Sequence, residues 1–271
     1  MIRVELANLF RRRRTWATIA MLNALPLVVA VLLKLTAIGP RPGTGPPFLS
    51  AVLTDGTLFP LAALGIVLPL FLPVAVAVVA GDAVAGESQA GTLRYLLVRP
   101  VGRTRLLVAK LVGVVAFVLV SVVVVALLAY AEGRLLLGQG DPSGAVTSVS
   151  GSTLTQAETI QRTLLALGYV TFMMLGVAAI ALFLSTVVES GLTAALGTIG
   201  ILIGSSVLLG LDAADALQPY LPTRYWLSFV DLFRDPIRWD GLIRGVVAQL
   251  CYVAVFAGAA WANFSTKDVD R

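Results

Sequence analysis

Few residues of this chain have the types and spacing for chemistry on a substrate. Histidine is absent, which removes the commonest metal ligand and the usual general base near neutral pH. Cys251 is the single cysteine and falls inside an apolar run, so no intrachain disulfide can form and a thiolate metal site has no support. There is no Gly-x-x-x-x-Gly-Lys-Ser/Thr loop, so the chain does not bind ATP by that means. Asp212 and Asp215 in "DAAD" have the spacing of a metal pair, but two carboxylates at the end of an apolar run read as a solvated terminus, and no metal is expected. What remains is a hydrophilic island between two long apolar stretches, "GDAVAGESQAGTLRYLLVRPVGRTRLLVAK", from Gly81 to Lys110. Its residue types suit docking rather than catalysis.

The elements around that island follow from composition. Of 271 residues, 58% are hydrophobic and 13% charged, with a mean hydropathy of +0.92. A soluble domain carries about 25% charged residues, so the chain reads as a polytopic membrane protein. The net charge of +5 is no nucleic-acid signal, because the basic residues lie in short segments beside apolar runs. Six segments are long enough to cross about 30 Å of hydrocarbon as helices: 15–38, 57–80, 106–130, 163–187, 191–211 and 243–263. Barrel strands would alternate apolar and polar residues, and "VGVVAFVLVSVVVVALLAY" does not. The apolar run after Arg11 to Arg14 is longer than a signal h-region and lacks a small-x-small cleavage site, so it reads as a retained span.

Basic residues set the expected orientation. They concentrate in the N-terminal tail (Arg3, Arg11 to Arg14), the second connection (Arg94, Arg99, Arg103, Arg105, Lys110) and the final tail (Lys267, Arg271). Both termini are therefore expected in the cytoplasm of a cell with this chain in its inner or plasma membrane. Arg134 and Arg162 belong to a sparser outer connection. Small residues recur along the fifth span at Gly191, Ala195, Gly197, Gly200 and Gly204, as close helix packing requires.

Three shorter segments complete the layout. "MIRVELANLFRRRR" places Ile2, Leu6, Leu9 and Phe10 on one face, which predicts a helix on the inner membrane surface. "PYLPTRYWLSFVDLFRDP" (219–236) is aromatic and amphipathic; Tyr225, Phe229 and Leu232 share a helical face, with Trp226 and Phe233 close by. It is expected either to lie at the outer interface or to form a short re-entrant hairpin. The stretch 138–156, rich in Gly, Ser and Thr, reads as a polar, mobile outer loop. Within the island, "ESQAGTLRYLL" (87–97) predicts a short helix with an apolar patch of Leu93, Leu96 and Leu97, stopped by Pro100. Thr104 is a predicted cap for the third span, with Arg103, Arg105 and Lys110 reaching headgroups. Such an amphipathic element, braced by a span at each end, suits a lever that docks onto a partner.

"GESQAGTLRYLLVRPVGRTRLLVAK" resembles the segment between spans two and three of type-2 ABC exporter permeases, the ABC-2 class. The matching positions are Glu87, Gly91, Thr92, Leu93, Leu96, Leu97, Pro100, Arg103 and Lys110. The six-span layout, the basic N-terminal segment and the "NFSTKDV" ending (263–269) extend the resemblance over nearly the whole chain. The resemblance implies a permease that pairs with a second, identical or homologous permease and binds two cytoplasmic ABC ATPase subunits. ATP and Mg would then sit on those ATPases, with no cofactor on this chain. Residues 87–99 become a coupling helix, with Arg94 and Arg99 flanking its groove on the ATPase. The aromatic loop, through Tyr225, Trp226, Phe229 and Phe233, becomes a re-entrant gate. The small outer loops depart from members with a large extracellular domain.

The expected fold is thus an all-α integral membrane protein, one permease domain over 1–271. It has six transmembrane helices, an N-terminal interfacial helix, a cytoplasmic coupling helix and a short outer aromatic re-entrant segment. Its expected partners are ATPase subunits, a second permease and membrane lipid, with no nucleic acid. A stand-alone channel or secondary carrier is the alternative, weakened by spans nearly free of ionisable residues. A membrane enzyme has no catalytic constellation behind it, since the chain pairs no serine with a histidine base.

Overall fold

Helix α1 (Ile2–Arg11) is followed by an extended residue, Arg12, at which the chain turns into α2 (Arg13–Thr36). Two side chains beyond the corner satisfy carbonyls that the end of α1 leaves open. The Thr15 hydroxyl donates to Leu9 O at 2.6 Å, and the Trp16 indole donates to Phe10 O at 2.8 Å. The computed structural model describes residues 2–39, 48–53, 55–89, 103–137, 146–147 and 149–266. Most of the lever segment and the Gly/Pro-rich stretch 40–47 lie outside these residues.

The second span differs from expectation. A continuous helix over 57–80 is predicted, yet a 3-10 turn (Gly56–Leu58) and α3 (Phe59–Val67) are bent by 59° from α4 (Phe71–Gly81). The cause is in "LPLFLP": Pro69 and Pro73 have no N–H, so two helical hydrogen bonds cannot form within five residues. Broken backbone at membrane depth is tolerated where protein or a cavity surrounds it, and α3 is buried nearly all round.

A short helix α5 (Ala85–Gln89) follows, then α6 (Arg103–Leu136), α7 (Gln156–Val187), α8 (Gly191–Leu209) and α9 (Trp239–Thr266). Among the described residues, five helices are long and apolar enough to cross a membrane, or six if the bent pair counts as one span. At 1.5 Å per residue, α6 and α7 are each about 50 Å long and overhang a core of about 30 Å. The helices therefore continue beyond the expected spans 106–130 and 163–187. Helix α7 starts from a capping box, in which the Thr155 hydroxyl accepts from Glu158 N and Glu158 accepts from Thr155 N.

Helix α7 lies at the centre, packed by α4, α6, α8 and α9, while α2 and α3 pack on α6. Phe59, Phe117, Met173 and Met174 are fully buried in this main core. A second, smaller cluster gathers Val84, Leu106, Leu107, Leu182, Ala260 and Phe264 at the end near both termini. Close approaches fall where glycine leaves room: a methyl at Gly133 would overlap Gly56 O, and one at Gly176 would overlap Gln249 Oε1. The small residues of α8 divide into two groups. Gly191 and Ala195 pack on Gly81 of α4, but Gly200 and Gly204 meet nothing within 4 Å, so close packing does not account for that half of the stripe.

Within the stretch 138–156, expected to be mobile, the described residues form ordered structure. Strands β1 (Val146–Thr147) and β2 (Thr153–Leu154) pair antiparallel, and Leu154 is buried in the main core.

Candidate functional site

The basic end of the bundle, which carries α1 and Arg11 to Arg14, contains the island's described residues. Here the second span leaves the bundle through an elbow, Gly81 to Gln89. The Ser185 hydroxyl of α7 organises it, donating to Gly81 O at 2.6 Å while accepting from Val84 N at 3.1 Å and Ala85 N at 2.9 Å. One side chain thus serves a carbonyl left open at the end of α4 and two N–H groups leading into α5. Asp82 is wedged beside it, since a methyl at Gly86 would overlap Asp82 Oδ1 and one at Gly191 would approach that atom to 2.8 Å. Its carboxylate lies against the first residue of α8, where the helix dipole favours negative charge.

Lys110 is the chief charged group. It lies in the third turn of α6 and is expected to reach headgroups, but it is only 5% exposed. Its ammonium bridges Glu5 of α1 and Glu87 of the elbow. An ammonium in an apolar wall is costly unless paired, and these two carboxylates supply the pairing. The lysine therefore ties the N-terminal helix, the elbow and the third span into one joint. Arg12 and Asp82 make a looser pair at 3.8 Å on the surface. Helix α1 also lies along α6, with Leu6, Leu9 and Phe10 half-buried and Ile2 exposed.

Of the predicted coupling residues, the structure thus places Glu87 in this joint. Gly91, Thr92, Leu93, Arg94, Leu96, Leu97, Arg99 and Pro100 lie outside the described residues. Arg103 opens α6, and Arg105 is exposed. Thr104 lies inside the helix rather than capping it, and its hydroxyl accepts from the Trp261 indole at 3.0 Å. Asn263 Nδ2 donates to Thr186 O at 3.0 Å, which holds the end of α9 to the end of α7.

The opposite end is aromatic. Trp226–Phe233 forms a 3-10 helix, with Tyr225, Trp226, Phe229 and Phe233 all buried in the protein rather than lying flat in lipid. The segment enters the bundle. Gln249 Nε2, ten residues and about 15 Å into α9, donates to Pro222 O at 2.8 Å. Tyr169, thirteen residues into α7, donates its hydroxyl to Tyr225 O at 2.8 Å. Ser205 of α8 and Thr223 share a hydrogen bond of 2.7 Å. Arg162, read from sequence as an orienting charge, instead donates Nη1 to Leu232 O at 3.0 Å and Arg234 O at 2.8 Å. A guanidinium on the last carbonyls of a helix complements its negative end. Outside, Val149 N donates to Phe233 O at 2.9 Å, and Asp235 N donates to Ser150 Oγ at 2.8 Å. The segment, referred to below as the lid, is stitched to the bundle from both sides.

Below the lid is a cavity of about 310 Å³ between the break in the second span and α8, lined by Pro69, Leu70, Pro73, Leu202, Val207 and Trp226. The molecule thus joins a charged elbow, a second span broken at proline, an apolar cavity and a buried aromatic segment.

A family model described as "ABC-2 family transporter protein" matches residues 1–234, which include the elbow, the broken span and most of the lid. No curated protein matches the chain.

Proposed function

The chain belongs to the ABC-2 transporter family, and from that premise we propose that it is the permease subunit of an ATP-driven exporter, moved at its basic end by separate ATPase subunits. It is an integral membrane protein of a transport system. In the proposed assembly two permeases, identical or homologous, bind two cytoplasmic ATPases, and both termini face the cytoplasm. The observation that supports this most is the joint at Lys110. It fixes Glu87, the first residue of the matched motif, to α1 and α6, so force on residues 87–99 would reach two spans and the N-terminal helix together. ATP and Mg would be held by the partner, and this chain would supply the docking helix and the path. Closure of the ATPases would shift the permease pair between inward and outward states. The cavity beside the broken span lies where such a path would meet the lid. Leu196, Ile203 and Val207 on α8 are exposed and offer an apolar face to a second permease.

The test is Leu93→Asp beside Leu93→Met. A buried leucine contributes roughly 1.5–3 kcal/mol, and an aspartate would carry an unpaired charge into an apolar groove. Leu93→Asp should still insert with all its spans, yet lose the ATPase on purification or keep it without stimulated turnover, while Leu93→Met behaves as wild type. A loop that merely lies on lipid predicts weaker membrane anchoring with coupling intact, and that result would overturn the reading.

A further inference from the structure

We propose that the groove at the basic end, between the start of α2, the end of α4 and the start of α8, binds a glycerophospholipid whose headgroup carries a primary ammonium. The groove encloses about 350 Å³. Its polar lining includes Arg12 and Arg14 from the start of α2 and Asp82, Glu87 and Gln89 from the elbow. Its apolar lining includes Val78, Val79, Val114, Leu192 and Ala195. Val78 and Leu192 are also exposed on the surface of the bundle, so this apolar lining is open to the region that lipid chains occupy. The span ends Arg13, Gly81 and Gly191 surround it, which places its mouth at headgroup level.

Polar over apolar at that depth is the profile of a lipid, and the charges select its head. The lining holds three carboxylates (Glu5, Asp82, Glu87) and three cations (Arg12, Arg14, Lys110), a net charge of zero. Lys110 is committed to Glu5 and Glu87. That leaves two guanidinium groups on one side and Asp82 on the other. Arg12 and Asp82 stand 3.8 Å apart with both side chains about half exposed, a pair loose enough to take a zwitterion between its members. Guanidinium groups take phosphate oxygens in bidentate fashion. A primary ammonium brings three N–H donors to Asp82, whose position is fixed by Gly86 and Gly191. A trimethylammonium head has no N–H to give. A glycerol head carries no cation and would leave its phosphate charge beside Asp82 and Glu87.

The site does not depend on the coupling role, and its test reads lipid alone. The purified full chain is equilibrated in mixed micelles of dioleoyl phosphatidylethanolamine, phosphatidylcholine and phosphatidylglycerol, and bound lipid per chain is read by native mass spectrometry. Phosphatidylethanolamine should be retained several-fold over the other two. Asp82→Asn should erase its advantage over phosphatidylcholine. Arg14→Ala, at an exposed position where folding is not at stake, should lower retention of both. Arg238→Ala, exposed at the other end, should change nothing. Equal retention of the three lipids, or unchanged preference in both groove variants, would overturn the proposal. So would a lipid-free dimer as the only species, which would mean that a second copy covers the groove.

Discussion

At the basic end one buried lysine gathers Glu5 and Glu87, whereas at the aromatic end five side chains from α7, α8 and α9 hold an irregular segment, mostly by its backbone carbonyls. The first joint is ionic and sits beside an open groove. The second is made of hydrogen bonds, of which those of Tyr169, Ser205 and Gln249 are buried, beside a core where Phe229 and Phe233 are fully buried. An ionic joint passes displacement between the elements it ties, because charge attracts over distance. Hydrogen bonds in a dry core have no replacement when broken. In the proposed mechanism this contrast lets input enter at the elbow, while the lid opens only when the spans beneath it move.

Substitutions that remove one joint at a time sharpen that contrast. The largest effect is expected from Lys110→Met, which leaves Glu5 and Glu87 facing each other without a cation. Breaking a buried pair from one side costs about 3–5 kcal/mol. Thermal unfolding of the purified chain should show the loss, and Glu5→Gln added to it should restore part. An unchanged melting temperature in Lys110→Met would mean that the joint carries nothing. Arg162→Gln comes next. It trades a cation on two lid carbonyls for a shorter neutral amide, and a hydrogen bond to a charged group is worth about 1.5–3 kcal/mol. Here the lid should loosen while elbow contacts stay, so proteolysis near residue 235 should quicken and ATPase retention should not change.

Gly176→Ala probes the depth of the lid's anchoring. The added methyl displaces Gln249 and so its bond to Pro222 O; overpacking of this kind costs about 1–3 kcal/mol. If Gly176→Ala is as stable as wild type, Gln249 is not an anchor. Tyr169→Phe removes one neutral hydrogen bond, to Tyr225 O, and should cost about 1 kcal/mol. A loss as large as that of Lys110→Met would erase the distinction between the two ends.

Much of the fold is legible in the sequence because apolar length is a one-dimensional property. The spans, the N-terminal helix and the aromatic lid all announce themselves by composition. The break in the second span was also written there, in Pro69 and Pro73, but apolarity masks it when a run is judged by hydropathy alone. The joints were not legible. Glu5, Glu87 and Lys110 are far apart in sequence, and no local pattern pairs them; in isolation Lys110 looks like any lysine at a span end. Arg162 reads as an orienting charge because its partners are backbone carbonyls 70 and 72 residues away, which have no sequence signature. The fit of Gln249 against Gly176 likewise exists only once α7 and α9 pack.

The most direct test of the central claim compares the two ends in one protein. In a Cys251→Ala background, Gln89→Cys places a thiol at an exposed position of the elbow, and Leu217→Cys places one at an exposed position near the lid. Maleimide labelling rates are measured with and without the partner ATPase. If the elbow receives the ATPase, its presence strongly slows labelling at position 89 and leaves position 217 unchanged. Equal rates at position 89 with and without the ATPase, or protection at position 217 instead, would contradict the account.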